Sequence, residues 1–255
     1  MSAAPLNRRI AAFIVLFVLY QAAEGVGARL LHSASVQAVI MIGSLLAAWP
    51  IGRWLGYRGY DAYALDLSRH SLRLVFVGLL LAGLARLAAL FWGLASGVYA
   101  LGAPPSPPQG LALLILMSGA FVSTFVPSIV EDIVTRGFWL KAAAVRWSGP
   151  AFVLTASAIY VLNHIFRLAE GPVEWIRLFC FGLAYACAAW RWRNLWAAVG
   201  LHWGWNLSNA LLDGFTSVNV MDAAGAPWLS VGAHLVLTAT MLLWPRPPER
   251  ATPHS

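Results

Sequence analysis

Long apolar runs make up most of the chain, and short polar stretches separate them. The runs are continuous instead of alternating, which favours helices over the strands of a barrel. Each run approaches the roughly 20 apolar residues that a membrane-spanning helix needs. The pattern therefore predicts an all-α, polytopic helical membrane protein with eight transmembrane helices. Their approximate ranges are 10–30, 34–53, 73–96, 110–145, 150–168, 174–191, 195–214 and 228–244.

Two stretches depart from a simple series of straight spans. The fourth run is too long for one straight helix, and Pro127 within it is expected to kink or break the helix, because proline removes a backbone hydrogen bond. Residues 53–73 mix Tyr, Asp, Arg and Leu, so they are expected to lie along the membrane interface. The first run has no clear small-residue cleavage site and is expected to remain as an uncleaved span. Without an internal repeat or a soluble segment, residues 1–255 form one predicted membrane domain.

Composition agrees with a lipid environment. Apolar residues make up 60% of the chain and charged residues only 11%, whereas a soluble domain carries about a quarter charged residues. The net charge of +7 comes from cations scattered between the apolar runs, not from a clustered basic face, so no nucleic-acid partner is expected. Cys180 and Cys187 lie about 10 Å apart along a helix, too far for a disulfide, and are predicted to be packing residues.

The cations are distributed unevenly between alternate loops. With the N-terminus in the cytoplasm, twelve cations fall on the cytoplasmic side and three (Arg29, Arg167 and Arg177) on the other. The twelve are Arg8, Arg9, Arg53, Arg58, Arg69, Arg73, Lys141, Arg146, Arg191, Arg193, Arg246 and Arg250. By the positive-inside rule, both termini are expected to be cytoplasmic. Abundant Arg, Ala, Gly and Pro with a single lysine indicate a GC-rich bacterial genome, hence a bacterial cytoplasmic (inner) membrane.

Ionisable residues within apolar spans are costly, so each is a functional candidate. They form three clusters: Glu131, Asp132 and Arg136; Tyr160 and His164; and His202 and Asn206. Within each cluster, residues four positions apart share a helix face. Asp132 and Arg136 can therefore neutralise each other, while Glu131 is rotated by about 100° towards a different surface. A separate ion pair is expected between Glu24 and Arg86, which should lie at similar depth in parallel helices.

The three clusters can meet in one buried site. The predicted helices four and five turn near residues 147–150, which places Glu131 and His164 at similar depth. His202 lies about nine residues beyond Arg193, also below the cytoplasmic face, so the site is expected to open towards the cytoplasm. A carboxylate in an apolar cavity is a stronger base than one in water. Glu131 and His164 could then deprotonate a water, while His202 and Asn206 donate hydrogen bonds to an oxyanion.

These motifs resemble the family of CAAX prenyl proteases and bacteriocin-processing enzymes, which are intramembrane endopeptidases. The family pattern is Glu-Glu-x-x-x-Arg, aromatic-x-x-x-His, and His-x-x-x-Asn or Asp, and the similar core spans about 110–210. Glu131 and Arg136 match the first motif, Tyr160 and His164 the second, and His202 and Asn206 the third. Asp132 stands where the family has its second Glu, and the resemblance implies that this acid pairs with the arginine.

The resemblance implies a membrane-embedded or lipid-associated peptide or protein as substrate, membrane lipids as surroundings, no cofactor, and water as nucleophile. Three alternatives stay open. Glu131, His164 and His202 could form a zinc site in a metal-dependent version of the protease. The protein could be a catalytically silent membrane factor, such as a bacteriocin-immunity or chaperone-like protein. A proton-coupled transporter also uses buried acids and histidines, although no repeat of the kind that transporters show is present.

Overall fold

The structure is a computed structural model, and it describes residues 4–103, 106 and 108–245. The eight predicted apolar segments are all helical, which confirms an all-α, polytopic membrane protein. The helices are α1 Leu6–Ala22, α2 Ala34–Trp54, α3 Arg69–Ala95, α4 Gly110–Asp132, α5 Gly149–Asn163, α6 Pro172–Trp192, α7 Leu195–Phe215 and α8 Ala226–Leu243. Arg246 and Arg250, which entered the charge count, lie outside the described residues.

Two of the helices continue as π-helical segments. Ala23–Leu30 follows α1, and Ile133–Ala142 follows α4 directly after Asp132. Of the kink or break expected at Pro127, the break does not occur, because α4 continues through this proline for another five residues. The long fourth run changes its winding at Ile133 instead. Wider π-helical turns of this kind are frequent at functional sites.

Six helical stretches in the described part of the chain are long and apolar enough to cross a membrane. The other two are α5, which has 15 residues, and α7. The first half of α7 is buried almost completely, because this helix packs against α3, α4 and α6. A helix that is surrounded by other helices needs less apolar surface than one that faces lipid, which explains why α7 can carry polar side chains.

Small residues let α3 and α7 approach closely. Gly78 of α3 and Gly200 of α7 lie against each other's backbone, and a Cβ atom at either would meet main-chain atoms of the opposite helix. Gly204 contacts Leu79 and Ala82 of α3 in the same way. Close helix packing at small residues is typical of membrane proteins, in which van der Waals contact drives association. The packing fixes the position of the α7 segment that carries His202.

The connection between α2 and α3 folds back onto the bundle. It forms a 3₁₀-helix, Gly59–Tyr63, in which Tyr63 is fully buried and donates a hydrogen bond to the Ala48 carbonyl over 2.8 Å. Burial raises the pKa of the Tyr63 hydroxyl. The Leu195 amide donates to the Ala64 carbonyl at 3.0 Å and so ties the start of α7 to this connection.

Two short strands join the loops at the opposite end of the bundle. Strand β1, Tyr99–Leu101, pairs antiparallel with strand β2, Val218–Val220. The apolar pattern did not predict them, because a three-residue strand is too short to produce a period. They connect the α3–α4 loop to the α7–α8 loop.

Candidate active site

The central carboxylate of the candidate site is Glu131, in the last turn of α4. Its Oε1 atom lies 3.6 Å from His164 Nε2, and its Oε2 atom lies 3.9 Å from His202 Nε2. Both distances are longer than a hydrogen bond. Oε2 accepts a 3.0 Å hydrogen bond from the Tyr20 hydroxyl, whereas Oε1 is buried without a hydrogen-bond partner within the described structure.

His164 is held by its own helix end. Helix α5 ends at Asn163, and the His164 backbone amide donates to Val161 instead of continuing the helical pattern. The Tyr160 carbonyl is then one of the helix-terminal acceptors that need another donor. His164 Nδ1 fills this role at 2.8 Å. A carbonyl can only accept, so Nδ1 carries the proton and Nε2 presents a lone pair towards Glu131.

Asp132 orients the second histidine. Its Oδ1 atom lies 3.3 Å from His202 Nδ1 and also accepts a hydrogen bond from Arg136 Nη1. The carboxylate accepts, so His202 donates through Nδ1 and directs Nε2 towards Glu131. The predicted pairing of Asp132 with Arg136 is present. Both side chains are fully buried. Asp132 thus accepts a hydrogen bond from the histidine and another from the arginine.

Aromatic rings surround the ionised groups. The Arg136 guanidinium lies over the ring of Tyr160 at 4.5 Å and over that of Tyr185 at 5.0 Å. Tyr185 also stacks on His202, with ring centroids 4.9 Å apart and planes inclined by 20°. Cation–π contacts of this kind stabilise an arginine that has left water. Tyr160 contacts both histidine rings, at 4.7 Å from His164 and 6.0 Å from His202.

Asn206 lies one turn further along α7. Its Nδ2 atom donates a 3.1 Å hydrogen bond to Ser128 Oγ, which lies on α4 one turn before Glu131. One amide hydrogen of Asn206 is therefore engaged and the second is available. The structure brings together Glu131, Asp132, Arg136, Tyr160, His164 and His202, and it places Asn206 at the edge of this group.

Several contacts of the site come from residues that the sequence motifs did not indicate. Tyr20 reaches Glu131 from α1, and its neighbour Gln21 donates to the Asn163 carbonyl at 2.7 Å. Tyr185 belongs to α6 and donates its hydroxyl to His234 Nε2 at 2.9 Å. No spacing rule connects these residues to the motifs, because each belongs to a helix distant in sequence.

The expected ion pair between Glu24 and Arg86 is also wrong. Arg29 Nη2 lies 2.9 Å from Glu24 Oε1, and both residues belong to the first π-helical segment, whose winding brings positions five apart together. Arg86 lies on α3, which packs against α7 and α8, and its Nε donates to Asn209 Oδ1 over 2.5 Å. Glu24 and Arg86 were expected to pair because they should lie at similar depth in the membrane, but they are not neighbours in the fold.

The fold and the buried cluster define a helical membrane protein with a carboxylate and two histidines facing one another. Residues 113–208 match the family model described as "Type II CAAX prenyl endopeptidase Rce1-like". The matched segment includes all seven residues of the three motifs, and it confirms the resemblance to the CAAX protease and bacteriocin-processing family. Comparisons with the curated proteins and with the solved structures gave no match.

Proposed function

We propose that the protein is an intramembrane endopeptidase in which Glu131 and His164 activate a water. Its substrate is a membrane-embedded or lipid-associated peptide or protein. The match of residues 113–208 to an endopeptidase family supports this reaction class. The multi-pass fold, with the cluster buried among its helices, supports a substrate that reaches the site from the membrane. The charge distribution supports both termini in the cytoplasm, and the abundance of Arg, Ala, Gly and Pro with a single lysine supports a bacterial membrane.

One observation carries the proposal: the lone pairs of Glu131 Oε1 and His164 Nε2 face each other at the centre of the site. Glu131 Oε1 and His164 Nε2 lie 3.6 Å apart, and both are acceptors when Glu131 is ionised and His164 is neutral. A water beside the gap between Glu131 and His164 can donate one hydrogen to each. Such a water keeps its oxygen lone pair free to attack a carbonyl carbon.

The proposed reaction follows from these positions. Glu131 takes a proton as the water oxygen attacks the peptide carbonyl, and His164 orients the water through Nε2. His202, held by Asp132, donates from its protonated form to the developing oxyanion, and the second amide hydrogen of Asn206 can add to this. Glu131 then returns its proton to the leaving nitrogen as the carbon–nitrogen bond breaks.

In the zinc alternative, Glu131, His164 and His202 would bind a metal ion. Zinc needs at least three protein ligands at about 2.0–2.2 Å. In the residues that the structure covers, no group of three or more His, Cys, Asp or Glu side chains has an arrangement suited to a metal ion. The proposal assigns each step to the protein's own groups, and a chelator distinguishes the two mechanisms.

The test is cleavage of fluorogenic membrane-associated peptides by the purified chain in detergent. Glu131→Gln should keep the fold, since the amide has nearly the same shape and is cheaper to bury than a charge. Turnover should fall by about 100-fold or more, because the amide cannot accept the proton. Glu170→Gln is the matched control, since the exposed Glu170 pairs with Arg167 and not with a residue of the cluster, and its turnover should be nearly unchanged.

Three other outcomes would contradict parts of the proposal. Normal cleavage by folded Glu131→Gln protein would exclude Glu131 as the base. Loss of activity with a chelator, restored by zinc, would favour the metal-dependent version. A wild-type protein that cleaves no peptide, including peptides carrying a lipid group, would favour the catalytically silent membrane factor.

A further inference from the structure

A polar cavity lies near the end of the bundle opposite the start of α1 and the end of α8. Its volume is about 300 Å³, and arginines from three elements line it: Arg86 of α3, Arg167 of the 3₁₀-helix Ile165–Glu170, and Arg177 of α6. The amide side chains of Asn206 and Asn209 of α7 complete the polar wall. The proposed hydrolysis does not use these arginines.

The charges around this cavity are unequal. Buried Glu174 bonds both Arg177, at 2.7 Å, and Arg167, while the more exposed Glu170 lies 3.7 Å from Arg167. Arg86 differs, because no acidic side chain lies within 4 Å of it in the part of the chain that the structure describes. Asp213 acts on Arg86 from a greater distance. An arginine in a membrane span without an adjacent acid indicates a functional site.

An apolar groove adjoins the cationic cavity. The groove has a volume of about 370 Å³ and lies between α3 and α8, and it shares Ala89 and Leu229 with the cavity. Small residues, such as Ala85, Ala88 and Gly232, form part of its lining. Trp92 and Trp228 lie at its outer end, where tryptophans mark the boundary between lipid and water.

We propose that the cavity and groove together form a binding site for one anionic phospholipid. The lipid phosphate would occupy the cavity, where guanidinium groups bind phosphate oxygens well. One acyl chain would lie in the groove between α3 and α8. The adjoining cavity and groove favour a lipid over a free phosphate ion. An inorganic ion has no acyl chain and would leave the groove empty. The cavity borders the Glu131 cluster at Asn206, but lipid binding does not depend on endopeptidase activity.

The experiment measures lipid-dependent thermal unfolding of the detergent-purified full chain. Phosphatidylglycerol should raise the Tm of the wild type by about 2–4 °C, more than zwitterionic phosphatidylcholine does. Arg86→Gln should weaken the apparent affinity for phosphatidylglycerol by roughly fivefold or more. Its control is Arg29→Gln, since Arg29 is a half-exposed cation outside the cavity and the groove. That variant should respond as the wild type does.

A second pair of variants tests the groove without touching the arginines. Ala88→Phe fills the groove from an exposed position and should reduce the response to phosphatidylglycerol. The matched Ala112→Phe, at an exposed position near the start of α4, should not. Equal stabilisation by glycerol 3-phosphate would show a phosphate site alone and overturn the lipid proposal. Equal responses to the two lipids, or a normal response of both Arg86→Gln and Ala88→Phe, would also overturn it.

Discussion

Glu131 and Asp132 are adjacent in sequence, yet they contact different groups. About 100° of helical rotation separates them, so Glu131 faces His164 and Tyr20 while Asp132 faces Arg136 and His202. Asp132 reaches both partners with its shorter side chain. The replacement of the family's second Glu by Asp therefore keeps the pairing with the arginine.

Tyr20 is expected to position Glu131 for proton transfer. Its hydroxyl holds Oε2 and leaves Oε1 for water and His164. A hydrogen bond to a charged group contributes about 1.5–3 kcal/mol. Tyr20→Phe should therefore lower kcat by roughly tenfold or more with little change in KM. Tyr57→Phe is the control, because among the described residues the Tyr57 hydroxyl bonds the Lys141 carbonyl, at 3.4 Å, and no side chain of the cluster. A fall in kcat that is equal in both variants would contradict this role.

The buried pair of Asp132 and Arg136 should stabilise the fold mainly by mutual neutralisation. Asp132→Asn leaves the arginine charged and fully buried, so the free energy of unfolding should fall by about 3–5 kcal/mol. The double variant Asp132→Asn with Arg136→Met should lose less, since neither charge remains. Glu170→Gln, at an exposed ion pair, should change stability little. Denaturant titration of the detergent-solubilised variants measures all three, and additive losses in the double variant would show that the pair does not interact.

At the level of residues, sequence reasoning succeeded where a motif lies on one helix. The spacing of four residues between Asp132 and Arg136 was enough to predict their pairing, and the structure shows it. The same reasoning gives no sign of Tyr20 or His234, whose partners lie on helices distant in sequence. It failed for Glu24, because the pattern gives no sign of the π-helical winding that brings Arg29 within reach.

At the level of elements, the contact between α3 and α7 positions the second histidine. Gly200→Ala should force the helices apart, because the added methyl group would meet backbone atoms of Val75 and Leu74. Overpacking of this kind costs about 1–3 kcal/mol. Since His202 is two residues further along α7, cleavage activity should fall as well. Gly119→Ala is the control, because a methyl group there meets no atom within 4 Å. Unchanged stability and activity of Gly200→Ala would show that α3 can move aside without cost.

Helix existence was predictable from apolar runs, but helix winding was not. All eight segments are helical because each run can satisfy its backbone hydrogen bonds internally. The change to a π-helix after Asp132 lies inside one continuous run, where composition does not distinguish the two windings. Pro127 did not mark the end of a helix, since α4 continues past it. Neighbouring helices and side-chain hydroxyls can compensate for a proline in a membrane helix.

At the level of the whole molecule, an even number of crossings would place both chain ends on the same side. The cations near that side are far more numerous than those at the other, which predicts that it is the cytoplasmic side. A reporter that is active only in the cytoplasm should therefore give signal when fused after Ser255. A periplasm-active reporter at the same position should be silent. Since Ser255 lies outside the described residues, this prediction depends on the charge pattern and the helix count alone.

A fusion in the α3–α4 loop supplies the internal control for this topology. Gly97 follows three helices, so a truncated chain ending there should place a periplasm-active reporter outside the cytoplasm. The opposite pair of results would mean that the whole protein has the inverted orientation in the membrane. The proposed lipid-binding cavity would then lie on the cytoplasmic side. Periplasmic signal from both positions would instead mean an odd number of crossings. Helix α5 would then be the first to re-examine, because its 15 residues make it the shortest helix of the bundle.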